Sequence, residues 1–137
     1  MTVDRTLQEN GSMLPMTGGL IFVAFAITAL VVEIALLGAA YRDIATVADL
    51  AAESAATVVA VPGAYGDDIS LDVGAAESEA RRVGRMWGSG NEVMTVDVNA
   101  SRICVTVTDG YRPRTLVFIG VSELSIRATG CAAPRVG

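Results

Sequence analysis

The sequence predicts an α+β protein: a long N-terminal transmembrane helix that continues into an ectodomain with a second helix and a small antiparallel β-sheet of three to four strands. Three observations predict it. Residues 14–40 form an almost unbroken apolar run. Apolar residues then recur at spacings of three and four on both sides of a Pro-Gly break. Beyond residue 92 the pattern changes to strict alternation of apolar and polar residues.

The apolar run sets the class. It holds 27 residues and one charge, Glu33. As a helix it is about 40 Å long, more than a hydrocarbon core of about 30 Å, so tilt or emergence at one end is expected. Residues 1–13 are a short polar stretch, a cytoplasmic or processed leader, with Arg5 as the only basic residue before the run. Asn10-Gly11-Ser12 breaks the chain, and Pro15 suits a first helical turn. Tyr41-Arg42-Asp43 mark the far interface, with Tyr41 as an aromatic anchor.

The helical pattern continues past that interface. Ile44, Val47, Ala48, Ala51, Ala55, Val58 and Val59 make one stripe, and Pro62-Gly63 ends it. One helix over residues 14–61 is predicted, about 70 Å long. Ala48, Ala52, Ala56 and Ala60 repeat every four residues along it. Such a small-residue surface lets helices approach closely, which predicts packing in an assembly; alanine is also simply a good helix former.

Residues 62–137 are the predicted ectodomain. Asp72 is placed to N-cap a helix over residues 73–87, with Val73, Ala76, Ala80, Val83 and Trp87 on one face. Arg81, Arg82 and Arg85 fall in its later turns, where cations suit the helix dipole. Residues 93–99 and 102–108 alternate as two strands around a short hairpin loop. After the turn region DGYRPR, the apolar stretch TLVFIGV and the alternating ELSIRAT predict one or two more strands.

Composition narrows the function. The chain has 137 residues, 52% of them hydrophobic, and a net charge of −5. That acidity argues against nucleic acid as a partner. Histidine is absent, which removes the commonest general base and metal ligand. No residue is placed to activate a nucleophile, so neither an enzyme nor a cofactor is expected. Asp67, Asp68 and Asp72 lack the spacing of a calcium loop and read as capping and turn residues. Cys104 and Cys131 are the only cysteines. Outside the cytoplasm such a pair reads as one disulfide, closing a loop of about 27 residues and contributing on the order of 3 kcal/mol; the alternative is two buried free thiols.

Glu33 has two readings. A carboxylate inside a span is costly, so one role is register: pairing with a polar group of a neighbouring subunit or with an N-terminal amine. The other is a place near the outer interface from which the carboxylate snorkels to water, since Glu33 lies about 27 Å along the axis from Pro15.

Gly11-Ser12, Pro15, the run to Ala40 with Glu33 late in it, Tyr41, and the Ala-rich Val47-Ala48-Asp49-Leu50-Ala51-Ala52 together resemble the TadE/TadG-like pseudopilins of the Tad (Flp) pilus-assembly system. The resemblance covers about residues 10–60 in detail. It implies a minor pilin, with the major pilin, other minor pilins or inner-membrane platform proteins as partners alongside membrane lipid. It also implies a single-pass protein of the bacterial inner membrane, with the C-terminal domain extracytoplasmic. Gly11 and Ser12 are the candidate processing site, although cleavage after Gly11 places Met16 fifth, where prepilins of this system carry Glu. The mature N-terminus is expected at Met1 or Thr2, or else at Ser12. A protein of another class, a membrane-anchored envelope binding or sensor protein, fits the same composition.

Overall fold

The computed structural model describes residues 13–59 and 70–134, with side chains from residue 16 onward. Helix α1 spans Met13–Ala56 and helix α2 Val73–Trp87. Strands β1 (Val93–Asn99), β2 (Arg102–Tyr111) and β3 (Leu124–Ala132) form one antiparallel sheet in the order β1-β2-β3. The fold class is α+β, as the patterning predicts, with one sheet face covered by both helices.

Helix α1 stops five residues short of the predicted end. Thr57, Val58 and Val59 are all β-branched, and such side chains lose rotamer freedom in a helix. Thr57 N–H and Val58 N–H instead donate to Ser54 O and Ala55 O, tightening the last turn. Val59 then forms an isolated bridge with Leu71. Ala60, Pro62-Gly63 and Asp67-Asp68 lie outside the described residues.

Asp72 caps α2 as expected: its Oδ1 accepts the Ala75 N–H at 3.0 Å. Ala76, Ala80 and Val83 of the predicted face are buried, whereas Val73 and Trp87 at its two ends are exposed. On the outer face Arg82 clasps Glu79 with two bonds of 2.8 and 2.6 Å, and this holds the Glu79 carboxyl below its ordinary range. Glu92 closes the turn between α2 and β1 by accepting the N–H groups of Ser89 and Gly90.

The core divides its volume unequally. The helices contribute mostly small residues: Ala48, Ala51, Ala52 and Ala55 from α1, Ala76 and Ala80 from α2. The sheet contributes Ile103, Val105 and Val107, all fully buried on the central strand. Small side chains let α1 lie close against the sheet, and β-branched ones fill the pleated surface.

Cys104 and Cys131 stand directly opposite each other in the β2–β3 register and are disulfide-bonded, with 4.1 Å between Cα atoms. They occupy the sheet face turned away from the helices, where Cys131 is exposed, so the pair is not a core element. Unreduced denatured protein is expected to show no free thiol. Reduction should lower stability by about 3 kcal/mol, as loop-closure entropy predicts for this separation. A thiol titration and a denaturant melt with and without reductant check both points.

Strand β2 runs back along α1. Gly130, the partner of Val105, packs against Ala48. From Val105 to Tyr111 is about 20 Å of strand, and from Ala48 back to Glu33 is about 22 Å of helix. The far end of β2 therefore arrives at the height of Glu33.

Candidate functional site

The site is built at that meeting point. Asp109-Gly110-Tyr111 end β2, and Arg112-Pro113-Arg114 turn the chain across α1, with Pro113 buried beneath them. The turn delivers four donors to one carboxylate. Tyr111 Oη donates to Glu33 Oε1 at 2.6 Å. Arg114 N–H is shared between the two oxygens at 3.1 Å each. Thr115 donates twice to Oε2, from its N–H at 2.8 Å and from Oγ1 at 2.6 Å. Glu33 is the only buried charged residue among those described, at 2% exposure.

Two expectations for Glu33 change here. The carboxylate has no capacity left for a neighbouring subunit or an N-terminal amine, because this chain supplies its donors. It does not reach out to water either. It is a clamp that ties the β2–β3 connection to α1 across 78 to 82 residues of sequence. The sequence marked DGYRPR as a turn but gave no sign that Tyr111, Arg114 and Thr115 are donors to a shared acceptor. What the sequence does not carry is the partner, since nothing local links residue 33 with residue 111.

The alanine stripe is reassigned as well. Ala48, Ala52 and Ala56 are buried at 0%, 1% and 7% exposure in this chain's own core. They pack against the sheet and α2 and are not open to a neighbouring subunit. The tight partner of Ala48 is Gly130, whose missing Cβ makes room for the α1 backbone. The fourth position, Ala60, and the candidate processing residues Gly11 and Ser12 lie outside the described residues.

What remains uncovered is the first half of α1. From residue 16 to residue 32 every side chain except Ala29 is exposed, including Leu20, Phe22 and Phe25 at more than 70%. By length and composition α1 is the one described helix able to cross a membrane. The stretch TLVFIGV, expected to be strand, is instead a 3-10 turn over Leu116–Ile119 closed by Gly120 at φ 88°. Among the described residues, no group of three His, Cys, Asp or Glu side chains is arranged to hold a metal ion. The depression between α1 and the end of α2 is lined by Asp43, Thr46, Ser89, Glu92 and Asp109 along with apolar residues of α1.

Fold and site together define a small α+β domain packed on the second half of one long helix, with the β2–β3 connection tied to that helix through one carboxylate. No protein-family model matches the chain, and no curated protein or solved structure matches it.

Proposed function

We propose that the protein is a structural subunit of the pseudopilin kind, a minor pilin that takes part in assembling a Tad/Flp-type pilus from the bacterial inner membrane. The observation that carries the reading is the division of α1. Its first half is bare and apolar, and its second half is the spine of a disulfide-linked domain. A helix built this way can pack sideways in a membrane or a filament while its domain stays outside. The order of features along residues 10–60, from the Gly-Ser break to the Ala-rich continuation, supports the same assignment.

The mechanism differs from a register carboxylate. Glu33 is consumed within the chain, and the alanine stripe is covered. Lateral contact therefore falls to the apolar span, through residues such as Leu20, Phe22 and Phe25. Without a buried ion pair between subunits, packing there rests on dispersion and small-residue fit.

Affinity purification of the full chain from detergent-extracted membranes tests the reading. Co-purification with a major pilin or with inner-membrane platform proteins of the same system is the expected result. A monomer that binds a specific small ligand and no such protein would overturn it in favour of an envelope binding protein.

A further inference from the structure

The 3-10 turn Leu116–Ile119 presents three consecutive large apolar side chains to the outside: Val117 at 50% exposure, Phe118 at 89% and Ile119 at 74%. Exposed apolar surface of this kind is costly in water and marks a contact site. The position of the turn says what it contacts. Thr115, the residue just before it, is bonded to Glu33 through both Oγ1 and N–H. The turn is thus fixed beside α1 at the height of Glu33. Counting back along the helix, residues 13–32 make about 30 Å, one hydrocarbon thickness. Above Glu33, Ile34 and Leu36 are still exposed. The turn therefore sits where the span leaves the hydrocarbon, so the emergence expected of a run about 40 Å long falls near Glu33 and not at Tyr41.

We propose that the Leu116–Ile119 turn is a second membrane contact, a wedge that sinks Val117, Phe118 and Ile119 into the outer margin of the same bilayer that α1 crosses. Three further features suit lipid as the occupant. The backbone of the turn satisfies much of itself: Phe118 N–H donates to Thr115 O, Gly120 N–H to Val117 O and Val121 N–H to Leu116 O. Irregular backbone at membrane depth needs such internal partners. Arg112 and Arg114 are exposed just before the turn, in reach of headgroup phosphates. The turn also follows directly on Thr115, which is bonded to α1 at the upper end of its bare apolar stretch. The Glu33 clamp then acquires a purpose. It couples span and wedge, so the domain is held at two points and cannot swing about a single helix. The proposal rests on α1 spanning a bilayer and is independent of the pilus reading.

The test uses the full chain reconstituted in phosphatidylcholine/phosphatidylglycerol vesicles. Trp87 is the only tryptophan, so a Trp87→Phe background is silent. Phe118→Trp, and separately Ile119→Trp, report on the turn. Ser101→Trp reports on the β1–β2 hairpin tip at the opposite end of the sheet. Flotation with the vesicles reads the span on its own. The expected result is that both turn indoles are blue-shifted, lose most of their emission to lipids brominated along the acyl chain, and resist acrylamide. The hairpin indole should show the reverse. Quenching of the turn indoles by acrylamide and not by brominated lipid would overturn the proposal. So would a blue shift that neither quencher touches and that is lost on dilution into excess lipid, which would assign the turn to a contact between copies of this chain. Two turn positions keep the test decisive if one variant fails to fold.

Discussion

Glu33→Ala will release the β2–β3 connection from α1 while leaving the disulfide-linked sheet folded. The carboxylate is the common acceptor for Tyr111 Oη, Arg114 N–H, Thr115 N–H and Thr115 Oγ1. Removing it strands two backbone donors and two hydroxyls at once, and unmade bonds to a formerly charged acceptor cost more than neutral ones. Amide exchange at Arg114 and Thr115 should accelerate by about two orders of magnitude, while the central β2 amides should keep their protection. Trypsin offers an independent readout. The bond after Arg114 is pinned in the native chain and should become a cutting site, whereas the Arg112-Pro113 bond stays resistant because proline follows it. Glu33→Gln should fall between wild type and Glu33→Ala. With its NH2 on the Tyr111 side the tyrosine hydroxyl can turn to accept, Thr115 and Arg114 keep an amide oxygen, and what is lost is the charge on the acceptor and half of the shared Arg114 bond. Tyr111→Phe removes a single donor and should be the mildest of the three. Equal exchange and equal cleavage in wild type and Glu33→Ala would show that the clamp does not hold the loop.

The parts of this molecule written in side-chain period were legible. The alternation of Met94, Val96 and Val98 against Thr95, Asp97 and Asn99 gives β1, and its counterpart gives β2. Asp72 was readable as a cap because its chemistry is local. The cysteine pair was readable because two thiols, the only ones in the chain, fall on strands expected to pair. Three things were not legible, each for its own physical reason. The TLVFIGV stretch is apolar without a period, so strand and exposed turn look alike in sequence. The alanine stripe announces close approach but does not say to what. Here Gly130 and the sheet of the same chain take the place of a neighbour. The Glu33 site depends on β2 running back along α1 by just the distance that brings Tyr111 to residue 33, and that match is a property of the packed structure, not of any segment. A single carboxylate in an apolar run did point to the right residue. It did not name the partner, because intrachain donors 78 or more residues away leave no local mark.

Gly130→Ala is expected to be the most damaging single-methyl change in the domain. A Cβ at Gly130 would stand 2.5 Å from Asp49 Oδ1 and 2.6 Å from both Ala48 C and Asp49 N. Two of those atoms belong to the α1 backbone, which cannot step aside by rotating a side chain. The helix would have to lift from β3 along the line of Ala48, Ala52 and Ala55, opening the most tightly closed part of the core. Overpacking of this kind typically costs about 1–3 kcal/mol. A glycine-to-alanine change also lowers the entropy of the unfolded chain, which returns up to about 1 kcal/mol and moves the measured loss toward the lower end of that range, about 1–2 kcal/mol. For a domain of this size the melting temperature should fall by about 4–8 °C per kcal/mol. Gly110→Ala is the matched control. It too lies in a strand, but the nearest atom to its new Cβ is Glu123 Oε1, at the end of an exposed, flexible side chain that can swing away. Thermal melts of the two variants in the detergent-solubilised full chain, followed by circular dichroism, separate the explanations. If Gly130→Ala melts no lower than Gly110→Ala, then α1 does not lie against β3 as closely as the alanine stripe requires. The reassignment of that stripe from a subunit contact to the core of this chain would fall with it.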